Sequence, residues 1–74
     1  MTLNPIGANQ NEVQIGRYRI LFSYLTPVCV ITTDHHYYKT NQFFSRTTSK
    51  HINSFLDGRT AEEKPQSWFD DLIK

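Results

Sequence analysis

The run from Val28 to Thr33 constrains the fold most strongly, because it is β-branched and almost continuously apolar. Such a run is typical of a central, buried β-strand. Before it, Tyr18, Ile20 and Phe22 alternate with other residues, which is the two-residue period of a strand. After it, residues 36–40 have the composition of a returning strand. The centre of the chain therefore predicts an antiparallel β-meander.

The strands of this meander are separated by residues that favour turns. Val13 and Ile15 alternate until Gly16 interrupts the pattern. This predicts either a strand pair or one long strand kinked by a bulge at Gly16. Thr26-Pro27 and Asp34-His35 predict the turns on either side of the central strand. Residues 12–40 are thus expected to form three to four strands.

Residues 1–11 show little periodicity and contain Pro5, Gly7 and four Asn or Gln side chains. This composition predicts an irregular N-terminal arm.

The period changes to that of a helix after Asn41. Thr48, Ile52, Phe55 and Leu56 recur at helical spacing. The candidate N-caps are Ser45, Thr47 and Thr48, and Gly58 is a suitable residue just beyond the C-terminus. These signals predict a helix over residues 45–57.

A second, short helix is predicted over residues 65–73. Pro65 suits its first position, and its apolar residues are Trp68, Phe69, Leu72 and Ile73. Thr60-Ala61-Glu62-Glu63 has capping-box spacing, but Pro65 limits any helix begun there to a turn. The sequence as a whole predicts a single α+β domain over residues 1–74, with the main helix covering one face of the meander.

The composition excludes several classes of protein. With 74 residues there is room for one core. Cys29 is the only cysteine, so no internal disulfide forms, and its apolar neighbours predict a buried, unreactive thiol in a reducing compartment. No apolar run approaches the roughly 20 residues that span a bilayer, and the N-terminus lacks a signal-peptide pattern. No membrane partner is expected.

Catalytic and metal-binding patterns are also missing from the sequence. His35 and His36 are adjacent and would point to opposite faces of a strand, and no His or Cys stands four residues from His51. No serine lies in a Gly-flanked elbow or an SxxK arrangement, and three glycines form no phosphate loop. We therefore expect no enzyme activity, no cofactor, no metal and no small-molecule substrate.

Two groups of polar residues are candidates for binding a partner. On the helix, Arg46, Lys50 and Asn53 share one face at i, i+4 and i+7, and Ser49 extends it. In the meander, the candidates are Arg17, Arg19, Lys39 and Tyr37. The competing interpretation of the helix face is the solvated side of an amphipathic helix.

The net charge of +1 is small for a protein that grips nucleic acid. Its distribution is uneven, because residues 1–61 carry six basic and three acidic side chains whereas residues 62–74 carry two basic and four acidic. The body is mildly basic and the tail mildly acidic.

Three segments resemble a set of very small proteins of unknown function encoded by tailed bacteriophages. They are Phe22–Val28, Tyr38–Thr40 and Phe44–Leu56, and the most specific piece is Thr47–Asn53. The resemblance covers roughly residues 1–57 and brings no assigned activity. It implies a phage origin and expression in the cytoplasm of the host bacterium.

These observations lead to one hypothesis and two alternatives. The leading hypothesis is a non-catalytic, phage-encoded protein that binds a host or phage protein and modulates or inhibits a host macromolecule. The first alternative is a small DNA- or RNA-binding protein that uses the sheet or the Arg46/Lys50 helix face. The second is an accessory component of the virion. The sequence leaves the oligomeric state open.

Overall fold

A computed structural model describes the backbone of residues 2–7 and 10–73, and the side chains of residues 10–73. The elements, in chain order, are β1 (Thr2–Gly7), β2 (Gln10–Ile15), β3 (Tyr18–Ser23), β4 (Thr26–Thr32), β5 (Tyr37–Thr40), α1 (Arg46–Leu56), β6 (Glu62–Lys64) and α2 (Gln66–Leu72). The predicted α+β class, an antiparallel sheet followed by a main helix and a short C-terminal helix, is confirmed. No helix within the described residues is long and apolar enough to cross a membrane.

All six strands form one sheet, in the order in which they occur in the chain. From β1 to β5, each strand pairs antiparallel with the next. β6 pairs parallel with β5, because α1 carries the chain back along the sheet before β6 begins. The sheet is therefore wider than the predicted meander by one strand at each edge.

The prediction of an irregular arm over residues 1–11 is wrong. Thr2–Gly7 forms β1, which pairs with β2, and the register is irregular between Pro5 and Gly7. Proline cannot donate to a neighbouring strand, and it is tolerated here because β1 lies at the edge of the sheet. The loop-like composition of this segment hid a strand whose stability comes from pairing.

The turns settle two local questions. Gly16 has a φ of 57° and lies with Arg17 in the turn between β2 and β3, so the strand-pair interpretation holds. The next turn contains Tyr24 and Leu25, whereas Thr26-Pro27, predicted as the turn, begins β4. Pro27 fits in β4 because the register shifts opposite Leu21 and Phe22.

The sheet is covered on both faces, where the sequence predicted cover on one. On the α1 face, Leu21, Val28 and Cys29 pack against Ile52 and Leu56 of α1. The register shift opposite Leu21 and Phe22 puts Val28 and Cys29 on this face, and the following residue, Val30, packs on the opposite face. The apolar run of β4 is continuous because both faces of the strand are covered.

On the opposite face, called the α2 face, Ile20 and Val30 pack against Phe69 of α2. Of the residues predicted for the core, Ile20, Val28 and Val30 are fully buried, Phe22 is half-buried and Tyr18 is exposed. Tyr18 lies beside the Gly16-Arg17 turn, at the end of its strand.

The helix ends follow the predicted chemistry in part. Ser45 is the N-cap of α1, and Asp57 adopts the left-handed conformation at its C-terminus, followed by Gly58 with a φ of 81°. Pro65 precedes α2 rather than lying in its first turn. The predicted turn at residues 60–63 is replaced by β6 from Glu62 onward, because pairing with β5 satisfies its backbone groups.

Candidate functional site

The segment Thr47–Asn53 is partly structural, because Thr48, His51 and Ile52 are buried. The Ser45 hydroxyl accepts a hydrogen bond from the Thr48 backbone N–H at 3.1 Å and donates to Thr48 Oγ1 at 3.2 Å. Thr48 Oγ1 lies 3.0 Å from Ser23 Oγ, and Ser23 Oγ lies 2.8 Å from His51 Nδ1. This chain of polar groups, from Ser45 through Thr48 and Ser23 to His51, is named the hydroxyl network.

The hydroxyl network joins two elements of the fold. Ser45 donates to Thr48 within the first turn of α1, and the Ser23 hydroxyl of β3 lies within hydrogen-bond distance of both Thr48 Oγ1 and His51 Nδ1. Ser23 is 2 % exposed, so its oxygen does not meet a substrate from solvent. The network fixes α1 on β3.

The predicted helix face divides into two halves. Arg46 and Lys50 are exposed and form no ion pair within residues 10–73. Ser49 and Asn53 lie on the side of α1 nearest β5 and line a cleft of about 200 Å³ with Lys39. The structure therefore brings Ser49 and Asn53 together with Lys39, which was predicted from a different segment.

Two neighbouring clefts lie between α1 and strands β5 and β6, and together they are named the seam groove. They are the cleft described above and a second of about 400 Å³, and both are lined by Lys39 and Asn53. Phe43 lies at one end, and Arg59, missed by the sequence analysis, lies at the other. Residues that complete the lining include Gln42, Leu56, Thr60 and Glu63.

Arg19 and Tyr37 lie in a third cleft, of about 340 Å³, which also contains Arg59. Arg19 is paired with Glu12 at 2.8 Å, and this hydrogen bond raises the pKa of its guanidinium. The Arg59 guanidinium carbon lies 5.5 Å from the centre of the Tyr37 ring. Arg17 is apart from these residues, exposed in the β2–β3 turn. The predicted sheet cations thus do not form one surface.

An exposed apolar cluster, which sequence analysis missed, lies at one end of the sheet and is named the apolar end. It consists of Tyr24 and Leu25 in the β3–β4 turn, and Phe43 and Phe44 in the loop before α1. Both connections lie at the same end because β4 and β5 are antiparallel. Leu25 is 92 % exposed, Phe43 72 % and Tyr24 48 %. The sequence signal was two apolar pairs, Tyr24-Leu25 just before the predicted Thr26-Pro27 turn and Phe43-Phe44 just before the predicted helix.

Tyr24 has further contacts that fix its position. Its φ is 58°, a left-handed conformation that few aromatic residues adopt, and its ring centre lies 6.1 Å from that of His51. The turn therefore presents Leu25 at its tip with little support from the core.

Three further residues with reactive or metal-binding side chains are Cys29, His35 and His36. Burial of Cys29 raises the pKa of its thiol to about 12, so the thiol stays protonated at neutral pH. His35 lies in the turn before β5, with a φ of 64°, and His36 stacks on Tyr38 at 6.4 Å. Within the described residues, no group of three or more His, Cys, Asp or Glu side chains is arranged to hold a metal ion.

A family model described as "Family of unknown function (DUF8033)" matches residues 1–71. No curated protein and no solved structure matches the chain.

Proposed function

We propose a function for this chain from one premise: it belongs to the DUF8033 family of unknown function, so its role has to be argued from its own surface. The proposed role is that of a non-catalytic protein that binds a host or phage protein and modulates or inhibits it. A phage origin and action in the host cytoplasm are part of this proposal. They are supported by the resemblance of segments such as Thr47–Asn53 to small phage proteins.

The observation that carries the proposal is the apolar end. Leu25 and Phe43 are 92 % and 72 % exposed, so neither contributes appreciably to the core. Burying one such side chain in a partner is worth about 1.5–3 kcal/mol. Large apolar side chains left exposed at one end of a small domain are typical of protein interaction sites. The apolar end therefore supports protein binding more directly than the polar residues do.

Charged side chains lie beside the apolar end and define the partner further. Arg46 is in the first turn of α1, next to the loop that carries Phe43 and Phe44, and Lys50 follows one turn later. Both are exposed, and neither forms an ion pair within residues 10–73. A partner with an apolar pocket and a rim of carboxylates complements this arrangement.

Nucleic-acid binding through the sheet has less support. Tyr37 and Tyr38 point to opposite faces of the sheet. The centre of the Tyr38 ring lies 5.0 Å from that of Trp68, a residue of α2. A flat sheet face with stacked aromatic residues is not available on that side. The helix face with Arg46 and Lys50 is the remaining surface for this alternative.

The test uses Leu25→Ser/Phe43→Ser, with Ile73→Ser as the matched control. Ile73 is 43 % exposed and caps the C-terminal end of α2, outside the apolar end. The parent protein first captures its partner from nuclease-treated bacterial lysate, and binding of the purified partner is then measured by calorimetry. We expect the double variant to fold normally and to bind about 10- to 1,000-fold more weakly, as truncated interface anchors do.

Ile73→Ser is expected to bind like the parent. Equal affinity of the parent and the double variant would contradict the proposal, and so would capture that disappears entirely on nuclease treatment. Nucleic-acid binding would instead be supported if log affinity fell linearly with log salt concentration. The slope of that line should then decrease by about one unit for each cation that is removed.

A further inference from the structure

The seam groove exists because α1 does not cover the whole of its sheet face. α1 packs mainly on β3 and β4, which leaves β5 and β6 uncovered beside it. Lys39 and Glu63 are register partners on β5 and β6 and form the floor. Ser49 and Asn53 of α1 form the wall.

The lining of the groove suits a peptide backbone. Apart from Ile52, Leu56, Ala61 and Phe43, the side chains present amides, hydroxyls and charges, among them Asn41, Gln42, Ser49, Asn53 and Thr60. Amide and hydroxyl groups pair with the N–H and C=O groups of an extended chain. A compact, apolar ligand would leave them without partners.

The length of the groove limits the number of residues that it holds. Ser49 and Leu56 both line it and are seven residues apart on α1, which corresponds to about 10 Å at 1.5 Å per residue. An extended chain advances about 3.3 Å per residue. The groove therefore fits about three to four residues.

The two ends of the groove differ in chemistry. Phe43 gives one end an exposed aromatic surface. Lys39 lines both clefts, beside its register partner Glu63, and the cleft at the other end contains Arg59 and no carboxylate in its lining. Lys39 forms no ion pair within residues 10–73, whereas Arg59 is held in place by Tyr37 and by a 3.4 Å hydrogen bond to the Leu56 carbonyl oxygen. A carboxylate complements this second end.

From this geometry we infer that the seam groove binds an extended acidic segment of the protein partner. An apolar side chain of that segment contacts Phe43, and an Asp or Glu two to three residues away lies between Lys39 and Arg59. The inference rests on the proposed function, since it names the part of the partner that enters the groove.

The inference is tested by selecting a displayed library of random hexapeptides against the parent protein. We expect enriched sequences that combine an apolar residue with Asp or Glu two to three positions away. Their affinity is expected to fall by about 10-fold or more in Lys39→Gln/Arg59→Gln, and to be unchanged in Arg17→Gln, where the cation lies in a distant turn.

Two further variants separate this inference from its premise. Ser49→Phe fills the groove without changing charge and should abolish peptide binding, while circular dichroism reports whether it folds. Leu25 lies outside the groove, so Leu25→Ser should leave peptide binding intact. If Leu25→Ser loses partner binding but keeps peptide binding, the loss reports on the apolar end and not on the groove. Enriched peptides without acidic residues, or binding unaffected by both groove variants, would overturn the inference. A 15-nucleotide oligo-dT that binds in place of the peptides, with the same sensitivity to Lys39→Gln/Arg59→Gln, would overturn it too.

Discussion

The two faces of the sheet are held by different kinds of contact. On the α1 face, apolar packing of Leu21 and Cys29 is combined with the hydroxyl network around Ser23 and His51. On the α2 face, Ile20, Val30 and Phe69 pack together and aromatic rings extend the contact. One hydrogen bond, from Gln66 to the Pro27 carbonyl oxygen at 2.8 Å, joins α2 to β4, and the buried Gln66 Oε1 has no partner among the described residues. The first face is fixed by a chain of hydrogen bonds, and the second mainly by burial.

The difference relates to what each helix does. α1 is 11 residues long and forms the wall of the seam groove. A shift of α1 along β3 would therefore change the shape of the groove, and the hydroxyl network opposes such a shift. α2 has only 7 residues and lines none of the clefts described above, and Lys64 lies over the rings of Tyr38 and Trp68 beside it. Hydrogen bonds set register, whereas apolar packing tolerates small displacements. The binding surface was built on the helix whose position is specified more tightly.

The largest expected effect is that of Val30→Asp, on the α2 face. Val30 is fully buried, and a carboxylate there has no partner. The cost exceeds what a domain of this size can lose, since its total stability is of the order of 5 kcal/mol. We expect an unfolded protein by circular dichroism. Soluble V30D protein with a cooperative thermal transition would show that burial of this side chain on the α2 face is not needed for folding.

Phe69→Ala removes the residue that fixes α2 and should cost about 3–5 kcal/mol in the free energy of unfolding. The measurement is urea denaturation, with Ile73→Ala, half-exposed on the same segment, expected to lose less than about 1 kcal/mol. A small effect of Phe69→Ala would mean that the Gln66 hydrogen bond to the Pro27 carbonyl at 2.8 Å, and not burial, holds α2.

Ser23→Ala breaks the hydroxyl network at its centre and should cost about 1–3 kcal/mol, because Thr48 and His51 lose a buried partner. His51→Ala measured alone and together with Ser23→Ala forms a double-mutant cycle. A coupling free energy near zero between Ser23 and His51 would contradict the role of their hydrogen bond in fixing α1 on β3.

Cys29 predicts a pH dependence on the α1 face. Its folded pKa of about 12 lies above the unfolded value, so the thiol contributes stability that is fully present below about pH 9 and is lost as the pH rises toward 12. The loss should approach 1.4 kcal/mol per pH unit above pH 9. Comparison with Cys29→Ala by urea denaturation at pH 8 and pH 10 isolates this contribution from those of Tyr and Lys. Parallel curves for both proteins would show that the thiol ionises without unfolding.

The smallest expected effect on stability is that of Arg46→Ala/Lys50→Ala. Both side chains are exposed, so the free energy of unfolding should change by about 0.5 kcal/mol or less. Partner affinity should nevertheless decrease, because the two cations border the apolar end. Unchanged folding together with unchanged affinity would assign these residues to the solvated side of the helix.

Local sequence patterns alone identified the strands from β2 to β5 and both helices. The β-branched run of β4, the helical spacing of Ile52 and Leu56 and the Ser45 cap act over a few residues, so they are visible without the fold. β1 and β6 were missed for two different reasons. The Pro5 and Gly7 composition of β1 resembles a loop, although the segment pairs with the adjacent β2, whereas β6 depends on the crossover through α1.

The candidate surface shows the same division. Ser49, Asn53 and Lys39 were identified from residue type, but only strand register placed Lys39 beside α1, and Arg59 was added by the loop after α1. The sequence by itself determined which residues are polar, apolar or helix-forming, because those are properties of side chains and short windows. The tertiary structure decided that both faces are covered, that Leu25 and Phe43 share one end, and that Ser23 reaches His51. Those facts depend on contacts between segments whose relative positions no local pattern encodes.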